Sequence, residues 1–172
     1  ATVGGSVSGA IAGDTLNLDT SRVTLAYNNA HVGLGIAVVA SGNSALTIGA
    51  TTNGSLSSDY ALAQPTIANA TANITTRALT ATASIGGTTT KTYDGTTVAT
   101  GATAGGSVTG AIAGDDITLN VSNVRLNYDN AHVNNASTIL ASGTTSFQID
   151  NSTSASRITD YRMNQPVIAN VA

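Results

Sequence analysis

Apolar and polar residues alternate along short runs of this chain, and each run ends in turn-forming residues. Leu16 and Leu18 share one face, and Val23, Leu25 and Tyr27 share another. A period of two puts such residues on one side of a pleated strand, so these runs predict strands with one covered and one wet face. Strands are also predicted at 36–40, 46–48, 60–62, 78–83, 117–121, 124–128, 138–141, 147–149 and 161–163. Ala-Gly-Asp, Ser-Gly and Asn-Gly steps separate them, with a Gly86-Gly87 turn after 78–83, because such residues accept the backbone angles of tight turns. Pro65 and Pro166 follow the last strand of each series, where a missing amide donor is tolerated at an edge or bulge.

The whole pattern occurs twice. Residues 1–71 align without a gap onto 102–172 at a constant offset of 101. Ala10-Ile11-Ala12-Gly13-Asp14 returns as Ala111-Ile112-Ala113-Gly114-Asp115, Asn29-Ala30-His31-Val32 as Asn130-Ala131-His132-Val133, and Gln64-Pro65 as Gln165-Pro166. Val23, Leu25 and Tyr27 recur as Val124, Leu126 and Tyr128, while Thr24 and Ala26 become Arg125 and Asn127. Retained apolar positions between drifting ones are what a half-buried sheet requires. No segment repeats its apolar residues with a helical period. The nearest approach, 152–165, has a counterpart at 51–64 rich in Gly, Ser and Asn.

The expected fold is therefore all-β, a tandem repeat of small antiparallel β domains, sandwich or β-grasp-like, end to end. Residues 72–101 have no counterpart, so one copy is short. The division expected is 1–76 for a first β repeat and 77–172 for a second, complete one. One sheet should then be incomplete at the edge served by strand 78–83.

Composition sharpens this picture. Thr, Ser, Ala, Gly and Asn dominate, Glu is absent and Lys91 is the one lysine, a balance that favours strands over helices. A net charge of -3 with six scattered basic residues excludes the basic stripe that nucleic acid needs. Cysteine is absent, which removes disulfides and thiolate metal sites. No apolar run is long enough to cross a bilayer and residue 1 does not open a signal peptide, so an internal part of a longer chain, with no membrane insertion, is expected.

Candidate chemistry is sparse. His31 and His132 are equivalent, but neither copy holds a second His or a Cys, and a metal site needs converging ligands. Asp14, Asp115-Asp116 and Asp94 follow or precede glycines. Their spacing fits no twelve-residue calcium loop, so they read as turn-formers. Tyr93 reads as a half-buried strand residue whose hydroxyl bonds to backbone. Lys91 could form an internal amide crosslink, although the first copy has no lysine. Sequons at Asn53, Asn69, Asn73, Asn120, Asn135 and Asn151 exceed the roughly four that chance gives in so Asn-, Ser- and Thr-rich a chain by too little to be more than weak evidence for glycosylation. No nucleophile–base pair, carboxylate dyad or phosphate loop is present, so no catalytic, cofactor-binding or metal residues are assigned and no enzyme is expected.

One stretch carries a resemblance. Arg77-Ala78-Leu79-Thr80, then Lys91-Thr92-Tyr93-Asp94-Gly95-Thr96-Thr97, then Gly114-Asp115-Asp116 and an aromatic strand before Gln165-Pro166 resemble the YDG-type repeat of large bacterial surface adhesins, the filamentous-haemagglutinin-like, two-partner-secreted proteins. The resemblance covers 77–172 as a full repeat and 1–76 as one lacking Tyr-Asp-Gly. Its signature residues here are Tyr93, Asp94, Gly95, Asp14, Asp115, Tyr60 and Tyr161, with structural roles. It departs from the family's pattern at Asp59-Tyr60 and Asp160-Tyr161, where Asn-Tyr is usual, and at Asn134, which stands where the other copy has Gly33. It implies an extracellular stalk or spacer at the bacterial cell surface, supporting adhesion or biofilm formation and needing no cofactor. Its partners would be neighbouring repeats, other adhesin chains or surface polysaccharide. The alternatives are a glycan- or exopolysaccharide-binding module, and a filament subunit that exchanges strands.

Overall fold

The computed structural model describes residues 1–42, 46–50, 53, 55–143, 147–151 and 156–172. The chain divides into two compact units, Ala1–Ile74 and Thr75–Ala172. The first contains β1 (Asn17–Asp19), β2 (Thr24–Tyr27), β3 (Gly33–Ser41), β4 (Thr47–Ala50) and β5 (Ala70–Ile74). β1 pairs with β4, and β3 lies between β2 and β5, all antiparallel. The second contains β6 (Arg77–Gly87), β7 (Ala102–Thr109), β8 (Ile117–Asn120), β9 (Arg125–Tyr128), β10 (Ile139–Ser142), β11 (Gln148–Asn151) and β12 (Tyr161–Met163). β8 pairs with β11, β9 with β10, and β6 runs between β12 and β7.

The protein is all-β, built of small sheets. Registers recur between copies: Leu18 faces Ile48 and Leu119 faces Ile149, while Leu25 faces Ala40 and Leu126 faces Ala141. The recurrence follows from the retained apolar positions, since a slip of one residue would turn each covered side chain to water.

Several expectations are corrected. The sheets are not wholly antiparallel, because β12 runs parallel to β6, with Met163 opposite Leu79. Gly86 and Gly87 do not form the turn expected of them; they extend β6 and pair with Thr103 and Ala102. Residues 60–62 form no strand, although the equivalent β12 does. In the segments 51–64 and 152–165, a single 3-10 turn stands among the described residues of each, Ser57–Asp59 and Ile158–Asp160. Residues 152–155, and Gly54 of the Asn-Gly turn, lie outside the described residues. The predicted covered face of β2 is only partly covered: Val23 and Leu25 are half-buried and Tyr27 is exposed. Sequence patterning also passed over β5 and β7, whose Ala, Gly, Thr and Ser carry little hydrophobic contrast.

A core forms where β6 sits. Leu79, 3% exposed, packs with Ile117, Ile149 and Tyr161, and Val108, Ala111 and Met163 close around them. Two first-copy counterparts are less covered: Ile48 and Tyr60 are half-buried where Ile149 and Tyr161 are buried, whereas Leu16 is buried like Ile117, and Val7, Ala10 and Leu62 are half-buried like Val108, Ala111 and Met163. No counterpart of Leu79 lies among residues 1–74.

Candidate functional site

The Tyr-Asp-Gly segment is built around one carboxylate. Asp94 Oδ1 accepts hydrogen bonds from the Thr96 backbone N–H and hydroxyl, both at 2.9 Å, an Asx-type turn that Gly95 completes at a φ of 79°. Lys91 Nζ donates to Asp94 Oδ1 at 2.7 Å, to the Thr96 carbonyl at 2.8 Å and to its hydroxyl at 3.0 Å. The same ammonium stands 5.7 Å from the centroid of the Tyr128 ring, within cation–π range. The Lys91 bond, then those from Thr96, hold the Asp94 carboxyl at about 2, below its ordinary 3.8.

Beyond this clamp the chain joins β9. Tyr128 N–H donates to the Thr97 carbonyl at 2.7 Å, Ala99 N–H donates to that of Leu126 at 3.1 Å, and Val98 bridges to Asn127. Tyr128 also donates its hydroxyl to the Thr89 carbonyl at 2.6 Å. The clamp therefore fixes where residues 97–99 enter the edge of the β9–β10 pair.

Tyr93 departs from expectation. It lies outside any strand and is 57% exposed. With Thr89, Lys91, Tyr128, Asn130 and His132 it lines an open groove of about 220 Å³. Residues 89–93 have no first-copy counterpart.

Asp14 and Asp115 take part in a second arrangement. Each closes an Ile-Ala-Gly-Asp turn by donating its N–H to Ile11 or Ile112, at 3.1 and 3.0 Å. Each carboxylate also accepts the hydroxyl of the tyrosine 46 residues further on, Tyr60 or Tyr161. The Tyr161 oxygen in turn accepts the Ile112 N–H at 3.2 Å. A bond from Ser55, then that from Tyr60, lowers the Asp14 pKa, and Ser156, then Tyr161, does the same for Asp115, against a smaller opposing effect of burial. The bond to Asp14 is also the largest influence raising the Tyr60 pKa. Of the signature residues, the structure thus joins Asp14 to Tyr60 and Asp115 to Tyr161, and places Tyr93, Asp94 and Gly95 elsewhere.

Other repeated polar residues have equally local uses. Asn29 and Asn130 accept the N–H of His31 and His132, both at 2.9 Å. Gln64 donates to the Leu46 carbonyl at 2.9 Å; Gln165 donates to the Phe147 carbonyl at 3.0 Å and accepts its N–H at 2.6 Å. Among the described residues, no group of three or more His or Asp side chains gathers to hold a metal. Sequence reasoning missed the Lys91–Asp94 clamp, although an oppositely charged pair three residues apart beside Gly-Thr was a usable signal. It also missed the glutamine links, whose only signal was their recurrence.

No curated protein and no solved structure matches the chain. The family model of the YDG domain matches residues 75–161, a span that holds the clamp, the β6-centred core and the Asp115–Tyr161 bond. That span is just over half of the chain, and the chain belongs to the YDG domain family.

Proposed function

We propose that the chain is a pair of spacer repeats, set end to end in the stalk of a secreted bacterial surface adhesin, contributing length and stiffness to adhesion or biofilm formation. The carrying observation is where the repeated polar residues are used. Asp14 and Tyr60, Asp115 and Tyr161, Gln64 and Gln165, Asn29 and Asn130 bond to their own backbone or to each other. Residues kept in both copies for turns and strand ends serve a scaffold, in which stability comes from units and their neighbours. Small-angle scattering on proteins carrying two, four and six copies tests this: the maximum dimension should rise linearly with copy number. A dimension that grows like that of a freely jointed or collapsed chain overturns it.

The groove beside the clamp favours a second reading, a glycan-binding module. Exposed Tyr93 with Tyr128, Asn130 and His132 offers an aromatic face and hydrogen-bonding groups of the kind sugars use. Saturable binding on a glycan array, lost on Tyr93→Ala, would support it, and an array without signal would remove it.

A further inference from the structure

The two tyrosines of the groove beside the clamp are not equivalent. Tyr128 is committed within the fold: its hydroxyl donates to the Thr89 carbonyl at 2.6 Å, and the Lys91 ammonium stands 5.7 Å from the centroid of its ring. It serves the groove as a wall. Tyr93 is the opposite case, 57% exposed and with a hydroxyl that has no partner among the described residues. The backbone that carries its ring is fastened on both sides, at Lys91 and at Asp94, by the bonds these two make to each other and to Thr96. A free aromatic face on a fixed stem is a platform for a ligand.

The charge of the groove is spent inside the clamp. Lys91 is the one lysine or arginine in its lining, and its side chain is only 15% exposed. It donates to Asp94 Oδ1, to the Thr96 carbonyl and to the Thr96 hydroxyl, which uses all three protons of an ammonium. An incoming anion would find no unpaired lysine, and would meet the Asp94 carboxylate, 46% exposed and held ionised by the same bonds. Uncommitted hydrogen-bonding groups remain. Asn130 accepts the His132 N–H through its Oδ1, which leaves both amide protons, and the His132 ring has no partner among the described residues. The volume, about 220 Å³, is below the roughly 300–1,000 Å³ of pockets for drug-sized ligands, so it suits one ring rather than a long segment.

Resting on the glycan-binding reading above, the geometry points to a site for one uncharged sugar ring, the terminal hexose of a neutral saccharide, stacked on Tyr93 against the Tyr128 wall with its hydroxyls bonded to Asn130 and His132. The apolar C–H face of a pyranose covers the aromatic ring while its hydroxyls reach the polar groups beside it, the division of labour of small-molecule sites. Asp94 is a positioning residue. It acts through Tyr93, by fixing the turn, and through Lys91, by cancelling its charge. Preference for a neutral over an acidic sugar therefore comes from the salt bridge and not from a contact with the sugar.

The test titrates the full chain, at neutral pH and low salt, with the methyl glycosides of glucose, galactose, mannose and N-acetylglucosamine, and separately with those of galacturonic acid and sialic acid, followed by amide chemical shifts. At least one neutral glycoside should saturate in the millimolar range expected of a single small ring, with shifts centred on residues 91–93 and 130–133. Tyr93→Ala should abolish binding, and Tyr93→Phe should keep it within about twofold, since the face and not the hydroxyl stacks. Tyr27→Ala, which removes an exposed tyrosine of β2, should leave it unchanged. Asp94→Asn separates charge from turn geometry: it should weaken the neutral glycosides at least about threefold and strengthen the acidic ones by about as much, because Lys91 loses its counter-charge. Weakening of both classes overturns the role given to the salt bridge. Acidic glycosides that bind the wild type as well as neutral ones, or neutral binding that survives Tyr93→Ala, overturn the proposal and leave a glycan site standing. No binding of any glycoside overturns the glycan reading and the proposal with it.

Discussion

Tyr161 and Tyr93 divide the roles that a tyrosine can take in this fold. Tyr161 is 6% exposed, and its hydroxyl donates to Asp115 and accepts from Ile112, so removing it takes one donor from the half-buried Asp115 carboxylate and the acceptor from the Ile112 N–H. Tyr161→Phe should lower the melting temperature by about 5 °C, the usual scale for one lost hydrogen bond in a domain of this size, whereas Tyr93→Phe should not move it. Differential scanning calorimetry checks both. The clamp at Asp94 adds a pH dependence whose sign follows from its lowered pKa. The folded value, about 2, lies below the ordinary 3.8, so on acidification the unfolded chain takes up the proton first. The clamp's contribution is whole above about pH 4 and disappears as the pH falls through about 2. Wild type and Asp94→Asn should therefore differ in melting temperature at pH 7 and converge near pH 2. A gap that persists in acid would show that charge is not what Asp94 supplies.

At the scale of elements, β6 organises its unit. It supplies Leu79 to the core, runs antiparallel to β7 over eight facing pairs, and runs parallel to β12. Leu79→Ala should cost about 2–5 kcal/mol, the range for a large-to-small change in a packed core, measurable by urea unfolding followed through Tyr fluorescence. The two glycines 101 residues apart report the same element from opposite sides. Gly106→Ala forces a methyl against the Thr82 carbonyl, which cannot yield without breaking the ladder, and should cost about 1–3 kcal/mol. Gly5→Ala meets only the tip of Leu18, which can turn aside, and should cost less than half as much in the same measurement. Equal effects would mean that residues 1–8 are already paired as β7 is.

For the whole molecule the consequence is unequal units. Thr75–Ala172 has its central strand and a buried cluster, whereas in Ala1–Ile74 two counterparts of that cluster, Ile48 and Tyr60, stay half-buried. Under native-state hydrogen exchange, amides of β2 and β3 should open at lower free energy than those of β6 and β7, because local stability follows buried apolar contact. What the sequence determined by itself is whatever depends on near neighbours. The β character follows from alternation, the registers of β1 with β4 and β8 with β11 follow from which positions stay apolar, and the Asx turns follow from Asn and Asp beside small residues. That 72–101 has no counterpart within these residues was legible as well. The fate of the strands around the gap was not. Residues 1–8 and β7 share six of eight residues, and 60–62 and β12 the same Tyr after the same Asp, yet only one of each pair becomes a strand. A strand needs a partner for its backbone donors and acceptors, and for β7 and β12 that partner is β6. Local sequence can state a preference for extended backbone, but only the tertiary structure decides whether the other half of the ladder is there.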